Sequence, residues 1–324
     1  MGLTAFASFG ERAPPALNFS YPLKTFSFKE NTMFDTLLTG PDLTGDVLTR
    51  LASLLPAETR RQTRAGAVRF TGLTDDFRPA VEKLLADFTQ ENVKVDLLMV
   101  PHEFSTTDIH VITFDMDGTL VVNECIDDMA KLSGKGEEVA GLTHAAMAGK
   151  LSFAESLVTR VSALKGLSPE VVEEAVRAIE LQPGAERLLS FCQKVGIKTY
   201  ITSGGFVQFT SRVAEWLGMD GAVSNELVLD KYGALTGEVV GPGGGVLFDA
   251  DGKRRALEIL TQLNGSTLEH TMAVGDGAND VEMLKAAHYG VAYHAKAPAI
   301  AAAKGHVRYT GLDTIALLFR ESWG

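Results

Sequence analysis

The chain has 324 residues, 45% hydrophobic and 22% charged, a net charge of −11, and two cysteines, Cys125 and Cys192. That balance describes a globular protein of about two domains, and it excludes a disulfide scaffold, a cysteine-based zinc site and, for want of a basic stripe, a nucleic-acid partner. No run of about 18 apolar residues occurs, so no membrane span or membrane partner is expected, and the sparse thiols suit a reducing cytoplasm.

Residues 1–33 carry a Pro14-Pro15 pair and little periodicity. They have no basic stretch ahead of their short apolar patch, so they read as an irregular tail rather than a signal peptide. Alternation begins at Phe34. Strands are expected at Phe34–Leu38, Ala67–Phe70 and Val93–Val100, with amphipathic helices at Asp46–Leu55 and Phe77–Phe88 between them. Such a run over 34–105 predicts a small α/β sandwich of the ferredoxin or ACT kind. Nothing in it looks catalytic; a packing or homodimer-forming module and a ligand sensor are the two roles open to it.

A second unit, 106–324, opens with His110–Phe114, an apolar run fit for a strand buried on both faces. A helical block from Ile126 to Ile179 follows, broken near Ser133-Gly134, Ala148–Lys150 and Gly166–Pro169. Then helices are expected at Ala185–Lys194, Phe206–Trp216, Lys253–Leu263 and Asp280–Ala287. Strands fall between them at Lys198–Ile201, Thr271–Val274 and Gly290–Ala292, with a hairpin over Leu227–Val240. Repeated βα units predict a doubly wound parallel sheet that binds ligands at the C-terminal ends of its strands. The core would comprise 106–123 and 186–324, and the helical insertion at about 124–185 would cap it.

Four segments carry the chemistry, each at a strand end or helix start. Asp115-Met-Asp117-Gly-Thr119 puts two carboxylates directly after a buried strand, which suits a nucleophile beside a general acid/base. Ser203-Gly204-Gly205 offers a hydroxyl and flexible amides where a helix begins, a phosphate-favouring arrangement. Lys253 opens a later helix. Gly275-Asp276-Gly-Ala-Asn279-Asp280 brings hard oxygen ligands of the sort Mg²⁺ prefers. These parts require one another: two like unit charges at 4 Å repel by about 4 kcal/mol at an effective dielectric of 20. An aspartate can therefore approach a phosphate dianion only if a metal and a lysine neutralise the site.

As a set, in this order, the four segments resemble the motifs of the haloacid dehalogenase superfamily, and the helical insertion is similar to that of its helical-cap class. Asn123-Glu124-Cys-Ile-Asp127, the stretch Ala146-Met147 through Phe153 to Arg160, and Tyr293-His-Ala-Lys296 further resemble the phosphoserine phosphatases within it. The resemblance implies an aspartyl-phosphate on Asp115, with Asp117 as acid/base and Lys253 supporting catalysis. It implies Mg²⁺ on Asp115, the Asp117 backbone carbonyl and Asp276, with Asp280 behind them. Ser203, Gly204, Lys253 and Asn279 would surround the phosphate. Glu124 and Arg160 would take the ammonium and carboxylate of O-phosphoserine, in the last step of serine biosynthesis. Their chemistry agrees, since a carboxylate acceptor and a planar guanidinium complement a zwitterion. Met147 and Phe153 would be lid contacts or cap core. The rival readings are a phosphatase or phosphotransferase for another small phosphomonoester, such as phosphohomoserine or phosphothreonine, and a non-enzymatic phospho-aspartate receiver. Gly118 stands where many of these phosphatases have serine.

Overall fold

The computed structural model describes residues 33–147 and 152–323. The expectation for the N-terminal tail therefore falls almost wholly outside the described residues. Strand β1 (Phe34–Thr39), helix α1 (Gly45–Ala52), strands β2 (Arg60–Arg64) and β3 (Ala67–Leu73), helix α2 (Arg78–Gln90) and strand β4 (Asp96–Pro101) form an antiparallel sheet of order β2-β3-β1-β4. Its apolar face, with Phe34, Leu38 and Phe70, is buried with Leu51 of α1 and Val81 of α2. The sequence Arg-Arg-Gln-Thr-Arg of β2 has no apolar alternation, which is why periodicity misses it. This exposed edge strand is held by its pairing with β3, and its charges blunt the free edge.

Strand β5 (Val111–Phe114) opens the larger sheet. Helices α3 (Cys125–Leu132), α4 (Gly136–Met147), α5 (Phe153–Ala163) and α6 (Pro169–Arg177) follow as one block. The chain enters and leaves this block through adjacent segments bridged at Val121 and Leu181: Val122 N–H donates to Glu180 O (2.8 Å), and Gln182 N–H donates to Leu120 O (2.9 Å). Helix α7 (Ala185–Val195), strand β6 (Lys198–Phe206), helix α8 (Val207–Leu217) and the hairpin β7 (Gly221–Leu229) and β8 (Leu235–Val240) come next. Then follow α9 (Ala250–Leu263), β9 (Thr271–Gly275), α10 (Val281–Ala286), β10 (Tyr289–Tyr293), α11 (Ala297–Ala302) and β11 (Gly305–Val307). The sheet order is β11-β10-β9-β5-β6-β7-β8, parallel except for β8. The sequence reading identifies most of these elements but not α11 or β11, whose Ala-rich and three-residue segments carry too little pattern. Among the described residues, no helix is long and apolar enough to cross a membrane.

The two sheets are joined by buried polar contacts to backbone. Arg69 pairs with Asp35 at 2.7 Å and also donates to the Leu318 carbonyl at 3.0 Å. The Asp96 carboxylate accepts from the amides of Arg308, Tyr309 and Thr310. Phe104 stacks on Phe319 with ring centroids 5.2 Å apart.

Candidate active site

Strands β6, β5 and β9 are neighbours, so their C-terminal ends deliver three segments to one place. Both β5 and β9 are buried along their whole length and apolar on most positions, so the first polar residue after each strand emerges at the sheet edge. Asp115 follows β5, and Asp276 follows β9. On β6 the ladder pairs Ser203 with Ser224 and then Phe206 with Asn225, leaving Gly204 and Gly205 as a bulge. Lys253 lies in the first turn of α9, whose N-terminus is capped by the Asp249 side chain accepting from Gly252 N–H. Gly118 has φ +73°, a conformation that favours glycine. A Cβ there would lie 3.1 Å from the Asp276 carboxyl group, so the turn lets the two acidic loops approach closely.

The Lys253 ammonium is fully buried, 2.8 Å from Asp115 Oδ2 and 2.6 Å from Asp280 Oδ1. The other Asp280 oxygen accepts from the amides of Asp276 (3.1 Å) and Gly277 (2.9 Å), so Asp280 is committed to holding Lys253 and its own loop. Asp115 Oδ1 accepts from Met116 N–H at 2.7 Å. Thr119 donates to Asp276 Oδ1 at 3.2 Å, and Lys296 lies 3.6 Å from Asp276 Oδ2.

Burial pushes the Asp115 carboxyl well above its usual range, and repulsion from Asp280 and Asp276 adds to this while Lys253 draws it down. Asp276 is raised for the same two reasons, burial and then Asp280. Burial opposes the charge on Lys253, but Asp115 and Asp280 together outweigh that and raise it above the ordinary lysine value. Asp117 is raised to about 7, first by burial and then by Glu124, against a hydrogen bond from Cys125.

One carboxylate oxygen each from Asp115, Asp276 and Asp280 lies within 4.8 Å of the other two. Asp280 is already engaged, whereas Asp115 and Asp276 keep lone pairs in an acidic pocket short of positive charge. Hard oxygen donors in such a deficit fit a cation of the Mg²⁺ class. The Asp117 side chain is not part of that group. Its Oδ1 accepts from Cys125 Sγ at 3.1 Å.

The helical block closes the other side of the pocket, whose volume is about 140 Å³. Glu124 precedes α3 as its N-cap residue, and Arg160 sits in the last turn of α5. Both line the same pocket as Asp115, Asp117, Ser203, Gly204, Asp276 and Asn279. Glu124 is exposed at the mouth. The protein around it still raises its carboxyl, and Lys296 is the strongest opposing charge. Phe153 also lines the pocket, and its Cζ lies 2.7 Å from where a Cβ on Gly204 would be. The Met147 side chain and the 148–151 segment lie outside the described residues.

Among the described residues, Asp115, Asp117, Glu124, Arg160, Ser203, Gly204, Asp276 and Asn279 line one cavity, and Lys253 and Asp280 contact the groups lining it. Thr119, Cys125 and Lys296 were not assigned roles from the sequence, although each lies within a quoted segment. Lys296 had one signal, its place three residues after the end of β10, a strand leading back to the site. The Cys125–Asp117 contact has none, because it depends on how α3 leaves the first loop.

The family described as haloacid dehalogenase-like hydrolases matches residues 109–288. A phosphoserine phosphatase of Archaeoglobus fulgidus is 42% identical over 206 residues, 64% of this chain and 58% of that one, so the match spans little more than half of that relative. A phosphoserine phosphatase of Polaromonas is 40% identical over 67% of this chain and 93% of its own. Among solved structures, a probable phosphoserine phosphatase of Vibrio cholerae, in unliganded form, superposes with a TM-score of 0.70 at 31% identity. It covers 89% of this chain and 86% of that one.

Proposed function

This chain belongs to the haloacid dehalogenase-like hydrolase family, and on that premise we propose that it hydrolyses O-phosphoserine to serine and phosphate through an aspartyl-phosphate on Asp115. One observation carries the substrate. Glu124 and Arg160, an anion and a planar cation, line the same small cavity as the aspartate cluster and the Ser203-Gly204 bulge. A zwitterion with a phosphate on its side chain matches that set of charges. Residues 34–105, the core and the cap at about 124–185 are read as three units on the same basis.

Asp115 attacks phosphorus, and the bond to the serine oxygen breaks as Asp117 donates its proton to that oxygen. Asp117 then takes a proton from water, whose oxygen attacks the acyl phosphate and releases inorganic phosphate. Burial keeps Asp117 able to hold and return a proton near neutrality. Lys253 neutralises Asp115 for its approach to an anion, and Asp280 keeps the ammonium in place. Ser203, Gly204 and Asn279 surround the transferring group, while Glu124 and Arg160 orient the amino-acid end. Asp115, the Asp117 carbonyl and Asp276 would hold Mg²⁺, which would neutralise charge and polarise the phosphoryl oxygens.

Phosphate release from phosphoserine is measured with Mg²⁺, with chelator, and with Asp115→Asn. Release in the first case alone supports the reading, and no release with Mg²⁺ overturns it. Faster turnover of phosphothreonine or phosphohomoserine would move the assignment to those esters.

A further inference from the structure

We infer that Asn225, which touches neither the cavity nor any motif residue's side chain, is a positioning residue. It locks the phosphate-binding bulge to the segment that carries Lys253. This rests on the reading of that bulge as the phosphate site.

Asn225 is fully buried on β7, directly beside the point where the β6 ladder skips Gly204 and Gly205. Its Nδ2 donates to the Gly204 carbonyl at 2.9 Å and to the Phe248 carbonyl at 3.1 Å. Its Oδ1 accepts from Phe248 N–H at 2.7 Å. One amide side chain thus satisfies both backbone groups of Phe248 and one of the bulge, using both donors and one acceptor. Phe248 immediately precedes Asp249, the cap of α9, and Lys253 N–H donates to the Asp249 carbonyl at 2.9 Å. The link therefore runs from the Gly204 carbonyl through Asn225 to the helix start that presents the lysine.

Its consequence on the other side follows from peptide geometry. The carbonyl and N–H of a trans peptide point in opposite directions. Holding the Gly204 carbonyl on Asn225 aims the Gly205 N–H the other way, where it donates to Ser203 Oγ at 3.0 Å. With that acceptor site occupied, the Ser203 hydroxyl keeps its own hydrogen to donate to an anion in the cavity. A two-glycine bulge has no side chain of its own to hold this orientation, and glycine backbone is the most costly to order. Asn225 supplies the restraint from behind.

The test compares wild type, Asn225→Asp and Asn225→Ala. Asn225→Asp keeps volume and the acceptor for Phe248 N–H but sets an oxygen against two carbonyls. Each variant, shown folded by its melting curve, is titrated with inorganic phosphate and separately with L-serine as inhibitors of Mg²⁺-loaded enzyme. Losing hydrogen bonds that orient the bulge should weaken phosphate inhibition and lower kcat by roughly tenfold in both variants. Serine inhibition, which reads the cap end, should change less than about twofold. Equal losses for the two ligands would make Asn225 a general fold residue and overturn the inference, as would an unchanged phosphate constant. If wild type does not hydrolyse phosphoserine, the proposed function fails by itself. Direct calorimetric binding of phosphate to the same three proteins then still reads the role of Asn225.

Discussion

Replacing Lys253 by methionine removes the ammonium that separates three buried carboxylates while keeping most of the apolar stem. In the folded protein its nitrogen lies 2.8 Å from Asp115 and 2.6 Å from Asp280, with no exposure to solvent. At about 2.7 Å and an effective dielectric of 20, each contact is worth about 6 kcal/mol of Coulomb attraction, most of it offset by the desolvation of the charges. The net cost of breaking such a buried pair by deleting one partner is about 3–5 kcal/mol. The sign with pH follows from the raised carboxyls. Without Lys253, Asp115 and Asp276 hold protons more tightly when folded than when unfolded, so the folded state binds more protons and gains stability as pH falls. Lys253 itself titrates above the ordinary lysine value, so the wild-type contribution is intact at pH 8. Urea unfolding of both proteins in chelator should show a deficit of about 3–5 kcal/mol at pH 8 that shrinks on acidification toward pH 5. A deficit below about 1 kcal/mol, or one that stays constant with pH, would refute the view that the lysine is what permits this acidic cluster.

Three further outcomes are expected. Gly204→Ala places a methyl 2.7 Å from Phe153 Cζ, so the ring must move. The KM for phosphoserine should rise by about tenfold with little change in melting temperature, because Gly204 lies at a cavity wall and its φ is unstrained. Arg160→Met should lower kcat/KM for phosphoserine by about 10- to 100-fold, the scale of a charged hydrogen bond, yet leave p-nitrophenyl phosphate turnover nearly unchanged. His306 Nε2–H donates to the Ile300 carbonyl (2.9 Å), and its value is lowered from 6.5 to about 4, first by burial and then by Arg308. The unfolded chain takes up that proton before the folded one, so stability falls as pH drops from 6.5 to about 4. The loss is about 2–3 kcal/mol for a ring that keeps one partly exposed edge, and His306→Gln should flatten that limb of the unfolding curve.

Much of the site was legible because its parts are local. Asp115-Met-Asp117, Ser203-Gly204 and Gly275–Asp280 each follow an apolar run, and a buried strand with polar residues at its end implies a position at the sheet edge without knowledge of the rest. The alternation of the two periods also implied a parallel sheet, and the long helical interruption implied a covering block.

Other features depend on residues far apart in the chain, and no local period encodes them. The polar strand β2 exists because β3 pairs with it, so its own composition was silent. Which of the acids holds Lys253 was settled by the adjacency of β5 and β9 and by the approach of α9. Asn225 lay outside every expected element and was not singled out from the sequence, since only the skipped register of β6 beside it gives its amide three backbone partners. Which chemistry stands at each strand end is written in the local sequence, because strand burial and motif spacing are set within a few residues. How those ends are held at hydrogen-bonding distance emerges on folding, because it depends on contacts between side chains and backbone many residues away.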